Sequence, residues 1–547
     1  MKTSYAFALL LMMFFANIAN AQNWQWAISP TGISVGNAVG TDPSGNVYYT
    51  GYFTGSLVFG SDTINDTDGP YQDVFIAKYD ASGNILWARN GNGYADADGV
   101  AIDASGNVFI VGNFYNDSIS FGGTTLYDPH TGAQNSNIYL VKYDPSGNVI
   151  WAKNLGGINN DLAAGISTDI NGNVYVTGNF TGDSLSLDNV TVQHIGSSDG
   201  FVAKLNPTGT AIWIKNVGSP NSDAATAVCT DTNGNVFMAG YFNGYYMYAG
   251  SLGNLIASPY TNNIFIIKYD STGSKQWLQC GGGNGNSGNN TPTGLSADPT
   301  GNVYVTGYFV DTLVISSEVL ASIGYQNIFT AQYDPSGNVS WAQQSGGKYV
   351  DQANAISTDA NGNSYLTGYF QSDTILFGSS VLTNPNGNQA TFVGKYDASG
   401  NPLWAIAAGG YSNNDGAGIS YSNGSIYVAG PFQGASIVFG ADTLYPGSQN
   451  SFLAKLDSSA PTGIIPINKL SDRILVYPNP STSNFYFKGI ESGNSIDIYD
   501  QLGKNIYTSV ANQDNYPVML SGKANGMYFY RISKQGNITQ QGKLIVN

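Results

Sequence analysis

A twelve-residue pattern, D-x-x-G-N-V-Y-x-x-G-x-F, recurs along this chain and is clearest at residues 103–114, 169–180 and 298–309. Its closing glycine falls at seven positions that are 61 to 67 residues apart: Gly51, Gly112, Gly178, Gly240, Gly307, Gly368 and Gly430. A unit of this size is too small to bury a core alone, so neighbouring units must stack. The pattern therefore predicts a repeat architecture.

Each unit reads as two β-hairpins. The first joins residues 165–168 to 174–177 through the turn D-x-N-G-N, and the second joins residues 75–79 to 85–88 through D-A-S-G-N. Asp caps such turns, and Gly supplies the positive φ that a tight hairpin needs. Four antiparallel strands per unit, here named a to d, form the blade of a propeller.

A lysine on strand c and a tryptophan on strand d also recur. The lysines are Lys78, Lys142, Lys204, Lys268, Lys395 and Lys455, and the tryptophans are Trp87, Trp151, Trp213, Trp277, Trp341 and Trp404. No such tryptophan follows Lys455, whereas Trp26 lies 61 residues before Trp87, in register with the series. We therefore predict an all-β fold with a seven-bladed β-propeller at residues 22–457. The N-terminal strand closes it by pairing with residues 452–456, which leaves no open sheet edge.

The repeat ends after Asp457. Residues 458–471 read as a linker, and residues 472–547 contain about seven short alternating apolar runs separated by turns. Such a pattern predicts a small second domain, a β-sandwich.

The strings GNVYVTG and KYDPSGNVIWA resemble the bacterial β-propeller repeats of the SBBP type. The resemblance covers roughly residues 23–457 and implies the propeller fold. It implies no particular activity, because such repeats serve many functions.

The C-terminal domain resembles the type A sorting domain of the type IX secretion system of Bacteroidota. The matching residues are Tyr477, Pro478, Asn479 and Pro480, then Gly526, then Gly542 and Lys543. The resemblance implies that the secretion machinery is a partner, and that the protein reaches the medium or the outer-membrane surface through the periplasm. The alternative is an ordinary terminal sandwich.

Composition and the first residues agree with export. Lys2, the apolar residues 6–15 and the A-x-A site before Gln22 predict a signal peptide at residues 1–21, cleaved between Ala21 and Gln22. No later segment is apolar for long enough to span a membrane as a helix. The net charge of −16 disfavours a nucleic-acid partner, because phosphate binding requires a basic surface. Cys229 occupies a position that holds small residues in other units, so a buried free thiol is expected.

The a–b and c–d turns are short and alike, whereas the b–c and d–a connections vary, as at residues 115–137, 243–263 and 371–389. A binding site is expected on the face that carries these variable connections. Five aspartates near the start of strand a could ring the mouth of the central channel: Asp96, Asp161, Asp223, Asp351 and Asp415. Such a ring could bind calcium; alternatively, each Asp caps its own d–a loop. No other cofactor is indicated.

Exposed tyrosines in the fourth b–c connection suit recognition of a sugar or a protein, and the candidates are Tyr245, Tyr246 and Tyr260. No catalytic residue is indicated, and the two histidines, His130 and His194, make no zinc site by themselves. The leading hypothesis is a secreted or surface binding protein whose ligand is a glycan or a protein. The alternatives are an extracellular polysaccharide hydrolase or lyase with an Asp-based site at the channel mouth, and a structural or adhesion component.

Overall fold

The computed structural model describes residues 24–546. It leaves out residues 67–68, 70, 116, 129–134, 245, 251–261, 284–288, 379, 411, 435, 446–448, 460–474, 478–480, 489, 501–503, 514 and 535–536. Strands joined by turns and bends make up these described ranges. Nothing in them is a helix that could cross a membrane. The predicted signal peptide and its cleavage site at Ala21 and Gln22 lie outside the described residues.

Two compact units divide the chain, Met1–Gly463 and Ile464–Asn547. The first contains the repeats, which we number 1 to 7 in chain order. Strand β1 (Trp24–Ile28) precedes them. Repeat 1 contains β2 (Thr31–Thr41), β3 (Val47–Phe59), β4 (Asp62–Asn65), β5 (Asp73–Tyr79) and β6 (Ile85–Asn92). Repeat 2 contains β7 (Ala95–Ile102), β8 (Val108–Phe114), β9 (Ser118–Phe121), β10 (Thr124–Tyr127), β11 (Asn137–Tyr143) and β12 (Val149–Leu155).

Repeat 3 contains β13 (Asp161–Thr168), β14 (Val174–Phe180), β15 (Ser184–Leu187), β16 (Val190–Gln193), β17 (Asp199–Leu205) and β18 (Ala211–Val217). Repeat 4 contains β19 (Ala224–Thr230), β20 (Val236–Asn243), β21 (Asn262–Tyr269) and β22 (Lys275–Gly282). Repeat 5 contains β23 (Thr291–Ala297), β24 (Val303–Ile315), β25 (Glu318–Tyr333) and β26 (Val339–Ser345).

Repeat 6 contains β27 (Asp351–Thr358), β28 (Ser364–Phe370), β29 (Thr374–Phe377), β30 (Ser380–Thr383), β31 (Ala390–Tyr396) and β32 (Pro402–Gly410). Repeat 7 contains β33 (Gly418–Ser422), β34 (Ser425–Gln433), β35 (Ile437–Phe439), β36 (Asp442–Leu444) and β37 (Gln449–Asp457).

The two predicted hairpins are confirmed in strand pairing and turn chemistry. In repeat 3 the antiparallel order is β13-β14-β17-β18. In the first turn, Asp169 Oδ1 accepts the backbone N–H groups of Asn171 and Asn173 at 2.9 and 3.0 Å, and Gly172 has a φ of 74°. The Asp and Gly of the pattern are therefore turn residues, because one satisfies the backbone donors and the other adopts the left-handed conformation.

The closing glycine of the pattern makes room for a β-bulge in strand a. A bulge interrupts the pairing of β13 with β14 between Ala163 and Gly165, and it brings the Leu162 carbonyl against Gly178. A Cβ placed on Gly178 would lie 1.9 Å from the Leu162 oxygen. The same approach, at 1.8 to 2.1 Å, is found at Gly51, Gly112, Gly240, Gly307, Gly368 and Gly430. Glycine is required there because any side chain would overlap the neighbouring strand.

Successive repeats touch along their first strands. Strands β2, β7, β13, β19, β23, β27 and β33 lie against one another in this order, and β33 also lies against β2. Strand β1 pairs with β37 in antiparallel fashion, with Trp26 opposite Lys455 and Ile28 opposite Leu453. A core cluster joins Phe75 of repeat 1 to Tyr427 and Leu453 of repeat 7.

The recurring lysine and tryptophan side chains hydrogen-bond each repeat to the next one, and we call this pair of bonds the lysine and tryptophan latch. Lys78 Nζ and Trp87 Nε1 both donate to the carbonyl of Pro145, in the c–d turn of repeat 2, at 3.1 Å. The same pair of bonds occurs where the chain ends meet. Lys455 Nζ and Trp26 Nε1 donate to the Ala81 carbonyl of repeat 1 at 2.9 and 3.4 Å. These residues are structural because the same contact recurs between repeats.

Most b–c connections contain a short β-hairpin. In repeats 1, 2, 3, 5, 6 and 7 the connection forms a short hairpin, as in β9–β10 and β29–β30. Several of these hairpins pair with strand d of the preceding repeat, as Phe121 does with Gly91. The variable connections at residues 115–137 and 371–389 thus contain the short hairpins β9–β10 and β29–β30, which were not predicted. Their strands of about four residues give too short an alternation to stand out beside the main pattern.

The second compact unit has its own core. Its strands are β38 (Leu475–Tyr477), β39 (Asn484–Lys488), β40 (Ser495–Tyr499), β41 (Asn505–Val510), β42 (Asn515–Met519), β43 (Gly526–Lys534) and β44 (Asn537–Val546). They form two sheets, in the orders β38-β39-β42 and β41-β40-β43-β44. Phe485, Phe487, Ile496, Ile532 and Leu544 meet in a shared buried cluster.

Candidate functional site on the variable face

The five predicted aspartates do not form one set. Asp161 and Asp351 pair with the pattern phenylalanines Phe180 and Phe370, whereas Asp96 pairs with Asn113, one residue further along strand a. Asp223 matches the first group, because Ala224 after it pairs with Tyr241; Asp415 matches Asp96, because its N–H bonds to the Pro431 carbonyl. Successive residues of a strand point to opposite faces, so the two groups face different surroundings.

Asp161, Asp223 and Asp351 are buried and cap their own d–a loops. Each carboxylate accepts the backbone N–H of the residue four positions earlier, at 2.5 Å for Asp161, 2.5 Å for Asp223 and 2.7 Å for Asp351. All three are at most 2% exposed. This geometry supports the capping alternative, because a carboxylate held by its own loop is not available at the channel mouth.

Asp161 gives a pH-dependent prediction. Burial raises its pKa from 3.8 to about 7, and its Oδ1 receives no hydrogen bond. The unfolded chain ionises this group near pH 4, whereas the folded chain resists ionisation until about pH 7. The stability it contributes is thus complete below pH 4 and is lost as the pH rises to 7. Wild type therefore loses unfolding free energy between pH 5 and pH 8, whereas Asp161→Asn does not. We expect the variant to gain ~2 kcal/mol of unfolding free energy over wild type when the pH is raised from 5 to 8.

Urea unfolding of wild type and Asp161→Asn at pH 5 and pH 8 measures this effect. Asp144→Asn is the matched control, because the hydrogen bonds from Asn148 lower the pKa of the turn residue Asp144. The stability that Asp144 contributes is present above the pKa of this residue in the unfolded chain, so it is constant between pH 5 and pH 8. An equal pH dependence in wild type and Asp161→Asn would contradict the assignment.

Asp96 and Asp98 form a carboxyl pair at the start of strand β7. The side-chain amide of Asn113 donates to both, with Nδ2 2.6 Å from Asp98 Oδ2 and 3.3 Å from Asp96 Oδ1. The Tyr115 hydroxyl donates to Asp96 Oδ2 at 2.7 Å. Burial raises the pKa of both carboxyls, and the charge of Asp96 raises the pKa of Asp98 further. The pair therefore retains a proton at a pH where an exposed carboxyl has lost it.

Asp98 stands where other repeats place a hydrogen-bond donor. It occupies the bulge of strand a, and the bulge side chains of repeats 1, 4 and 5 donate to a carbonyl of the next repeat. These contacts are Asn37 to Ala97 at 2.9 Å, Thr226 to Pro292 at 2.6 Å and Thr293 to Ala353 at 2.7 Å. A carboxyl can make such a bond only when it is protonated. Asp98 thus departs from the repeat, and it was not among the predicted site residues.

A row of tyrosines faces the same side as Asp96. Cross-strand partners share a face, so the residue before the pattern phenylalanine in strand b lies on the side of Asp96. In chain order this position holds Tyr52, Asn113, Asn179, Tyr241, Tyr308, Tyr369 and Pro431. The four tyrosines, which we name the tyrosine row, are half-buried. In the sequence, the row could have been found from the one variable residue that lies between the constant Gly and Phe of the pattern.

Electrostatic coupling shows that members of the tyrosine row lie near one another. Burial raises the pKa of Tyr241, and nearby Tyr308 adds to the rise. Burial also raises the pKa of Tyr369, with further contributions from Asp415 and Tyr308. Burial and then Asp96 raise the pKa of Tyr52. Tyr52, Tyr241 and Tyr369 are therefore neutral and retain hydroxyl groups that can donate and accept hydrogen bonds.

Amide and carboxyl groups extend the tyrosine row at repeats 6 and 7. The Asn354 amide donates to Asp415 Oδ1 at 2.7 Å, and the Gln352 amide donates to Asn354 Oδ1 at 2.8 Å. The Tyr369 hydroxyl donates to Gln352 Oε1 at 3.4 Å. Burial raises the pKa of Asp415 to about 7. The structure thus joins Asp415 to the polar groups beside the tyrosine row.

The predicted tyrosines of repeat 4 are only partly described. Tyr246 is 44% exposed, whereas Tyr245 and Tyr260 lie outside the described residues. Nearby Met247 and Ala249 are buried, and the Tyr248 carbonyl accepts the Gly218 N–H at 3.0 Å. Residues 247–249 of this connection therefore pack on repeat 3.

Metal ligation gains no support from the described side chains. Among them no group of three or more His, Cys, Asp or Glu residues is arranged to hold a metal ion. His130 lies outside the described residues. Cys229 and Cys280 are free; Cys229 is buried, as expected, and burial raises the pKa of Cys280 to about 12.

The predicted sorting residues lie on strands or beside them. Tyr477 ends β38 and pairs with Tyr486, and Gly526 begins β43 opposite Val546. Gly542 and Lys543 lie on β44, opposite Tyr530 and Phe529. Pro478, Asn479 and Pro480 lie outside the described residues.

Family models match both parts of the chain. The model of the secretion system C-terminal sorting domain matches residues 475–547, and the SBBP β-propeller repeat model matches residues 150–185. Over 506 residues the chain is 24% identical to the uncharacterized WD repeat-containing protein L264 of Acanthamoeba polyphaga mimivirus, covering 76% of this chain and 36% of that protein. It is 22% identical over 162 residues to the regulatory protein FlaEY of Caulobacter vibrioides, covering 28% and 17%. The chain thus spans about a third or less of these relatives.

The solved structures that the chain matches include Sqt1 from Chaetomium thermophilum, with a TM-score of 0.36, 9% identity and coverage of 80% of this chain and 99% of that one. A Dyadobacter fermentans protein of unknown function has a TM-score of 0.38 and 8% identity, with coverage of 80% and 100%. PorZ, a surface component of the type-IX secretion system of Porphyromonas gingivalis, has a TM-score of 0.22 and 11% identity, with coverage of 95% and 100%. Repeats, sorting domain and all-β fold together identify a secreted or cell-surface β-propeller protein that carries SBBP-type repeats and a C-terminal sorting domain of the type IX secretion system.

Proposed function

We propose that this protein is a binding protein, displayed on the cell surface or released, whose ligand is a glycan or another protein. Its frame is a closed seven-bladed propeller at residues 22–457, followed by a linker at 458–471 and the sorting domain at 472–547. The pairing of β1 with β37 supports closure, as does the recurrence of the lysine and tryptophan latch at Ala81.

The tyrosine row carries the functional proposal. Its positions lie at the end of strand b and next to the start of strand a, which is the variable face. The frame accepts Tyr, Asn or Pro there, so packing does not require an aromatic residue. Half-buried phenols beside carboxyls and amides offer both apolar faces and hydrogen bonds, the combination that recognises a polar ligand such as a sugar.

An Asp-based hydrolase or lyase has less support. Asp161, Asp223 and Asp351 are enclosed by their own loops, and catalysis requires a carboxyl within hydrogen-bond reach of substrate. A structural or adhesion role is compatible with the fold, but it gives no reason for the half-buried tyrosines.

A glycan array and a screen against immobilised envelope proteins, both with the purified protein, test the proposal. We expect one ligand class to bind, and we expect Tyr308→Ala or Tyr369→Ala to weaken binding about fivefold, because an aromatic contact contributes on the order of 1 kcal/mol. Tyr127→Ala is the control, since Tyr127 is 68% exposed on the hairpin strand β10, away from the row. Substrate turnover, or binding that both row variants retain, would contradict the proposal.

A further inference from the structure

Three tyrosine rings lie in contact at the junction of repeats 1 and 2. The rings of Tyr71 and Tyr94 are stacked, with centroids 5.0 Å apart and an interplanar angle of 28°, and the rings of Tyr94 and Tyr115 are also 5.0 Å apart but tilted by 46°. Tyr71 precedes strand c of repeat 1, Tyr94 lies in the d–a connection, and Tyr115 follows strand b of repeat 2. All three thus belong to the variable face, and we call them the tyrosine stack.

The stack presents a fixed aromatic surface to solvent. Tyr71 is 46% exposed although Tyr94 covers one face of its ring. The exposed area therefore comes from the other face and the ring edges. At the inner end, the Tyr115 hydroxyl is held by Asp96 at 2.7 Å. An aromatic ring backed in this way loses little conformational freedom when a ligand covers it.

The propeller frame does not require these aromatic residues. The Tyr115 N–H bonds to the Tyr94 carbonyl at 2.9 Å, and in the next repeat Thr181 N–H bonds to the Asn160 carbonyl at 3.1 Å. Likewise Ala95 N–H bonds to the residue after Tyr71, as Asp161 N–H bonds to the residue after Asn135. The equivalent positions at the next junction are thus Asn135, Asn160 and Thr181. An exposed aromatic cluster that the frame does not need points to recognition.

The chemistry beside the stack favours an uncharged ligand with many hydroxyl groups. The stack ends at the Asp96–Asp98 carboxyl pair, and the hydroxyl of Tyr52 is close enough to Asp96 for its charge to act on it. Carboxyls accept and, when protonated, donate hydrogen bonds to hydroxyl groups. With these acids at the site and a net charge of −16, an anionic polymer would be repelled. A neutral sugar offers a C–H face for Tyr71 and hydroxyl groups for the carboxyls.

We propose that the tyrosine stack is a binding subsite for a neutral polysaccharide, with one sugar ring lying on Tyr71 and its hydroxyl groups directed towards Tyr115 and Asp96. This subsite rests on the proposed binding function and assigns its ligand class. It is separate from the part of the tyrosine row at Tyr241, Tyr308 and Tyr369, so the two can be tested independently.

Affinity electrophoresis of the full protein tests this proposal. The gels contain neutral polysaccharides (β-glucan, xylan, mannan, α-glucan) or anionic ones (alginate, pectate, chondroitin sulfate). We expect retardation by at least one neutral polymer and by none of the anionic ones. Tyr71→Ala and Tyr94→Ala should each reduce the affinity at least tenfold, while Tyr71→Phe and the matched control Asn135→Ala retain it. A melting curve for each variant shows that the fold is intact.

Each other result overturns the subsite. Retardation only by anionic polymers contradicts the charge argument, and affinity unchanged in both Tyr71→Ala and Tyr94→Ala contradicts the location. If Tyr308→Ala abolishes polysaccharide binding while the stack variants do not, the proposed function stands and the subsite is wrong. If no polysaccharide binds but an envelope protein does, the protein is a binding protein without this glycan site. If neither binds, the proposed function fails together with the subsite.

Discussion

A chain that begins at Ser29, and so lacks strand β1, is expected to lose about 5 kcal/mol of unfolding free energy and to self-associate. The missing strand contributes Trp24, Trp26 and Ile28, which are half-buried, and each such side chain contributes ~1.5–2 kcal/mol when it is covered. Its removal also leaves β37 as an open sheet edge, which can pair with another molecule. Urea unfolding gives the free energy, and size-exclusion chromatography gives the association state.

Point variants distinguish the contribution of the Trp26 side chain from the loss of the whole strand β1. Trp26→Ala should cost ~2 kcal/mol, somewhat less than Trp87→Ala, because Trp87 is more deeply buried while both make the same contact with a c–d turn. Gln25→Ala, at an exposed position of the same strand, is the control and should have no effect. If the chain that begins at Ser29 remained monomeric with an unchanged unfolding midpoint, the closed ring would be wrong.

Gly178→Ala is expected to destabilise the propeller by about 3 kcal/mol, an unusually large cost for adding one methyl group. The new Cβ would lie 1.9 Å from the Leu162 carbonyl oxygen, so a strand must shift to admit it. Overpacking against a rigid neighbour costs ~1–3 kcal/mol, and here the neighbour is backbone inside a sheet. The unfolding midpoint in urea, or the melting temperature, measures the effect.

Gly409→Ala is the matched control, since Gly409 also lies in a strand but an added Cβ would meet only the Ala390 side chain, at an ordinary 3.5 Å. It should change stability by less than ~0.5 kcal/mol. Equal costs at the two positions would show that the effect does not come from the bulge, because the backbone entropy of glycine favours alanine at both. The pattern glycine would then have another explanation.

The hairpins could be predicted from the sequence because their signals are local. Asp169 and Gly172 act within one turn, and the spacing of Trp26 from Trp87 follows the repeat period along the chain. The hairpins inserted between strands b and c escaped prediction because each strand has only about four residues, and so little periodicity.

The candidate site was harder to predict from the sequence, because strand register decides which face of the sheet each of its side chains occupies. Asp96 and Asp161 both lie near the start of strand a, but a shift of one residue puts their side chains on opposite faces of the sheet, and only Asp161 is held by its own d–a loop. The interaction of Asp98 with Asp96 depends on a bulge, which the spacing of letters does not reveal. The tyrosine stack joins residues from three separate connections, so only the folded chain brings them together.

By itself, the sequence determined the repeating unit, its two hairpins and the sorting domain, because these depend on turn residues, alternation and motifs that act over a few positions. The tertiary structure alone decided which side chains share a surface. The physical reason is the period of two along a β-strand: one bulge or one residue of register moves a side chain from one face of the sheet to the other. The constant letters of the pattern therefore describe the frame, and the variable letter between Gly and Phe became informative only after the strands were paired.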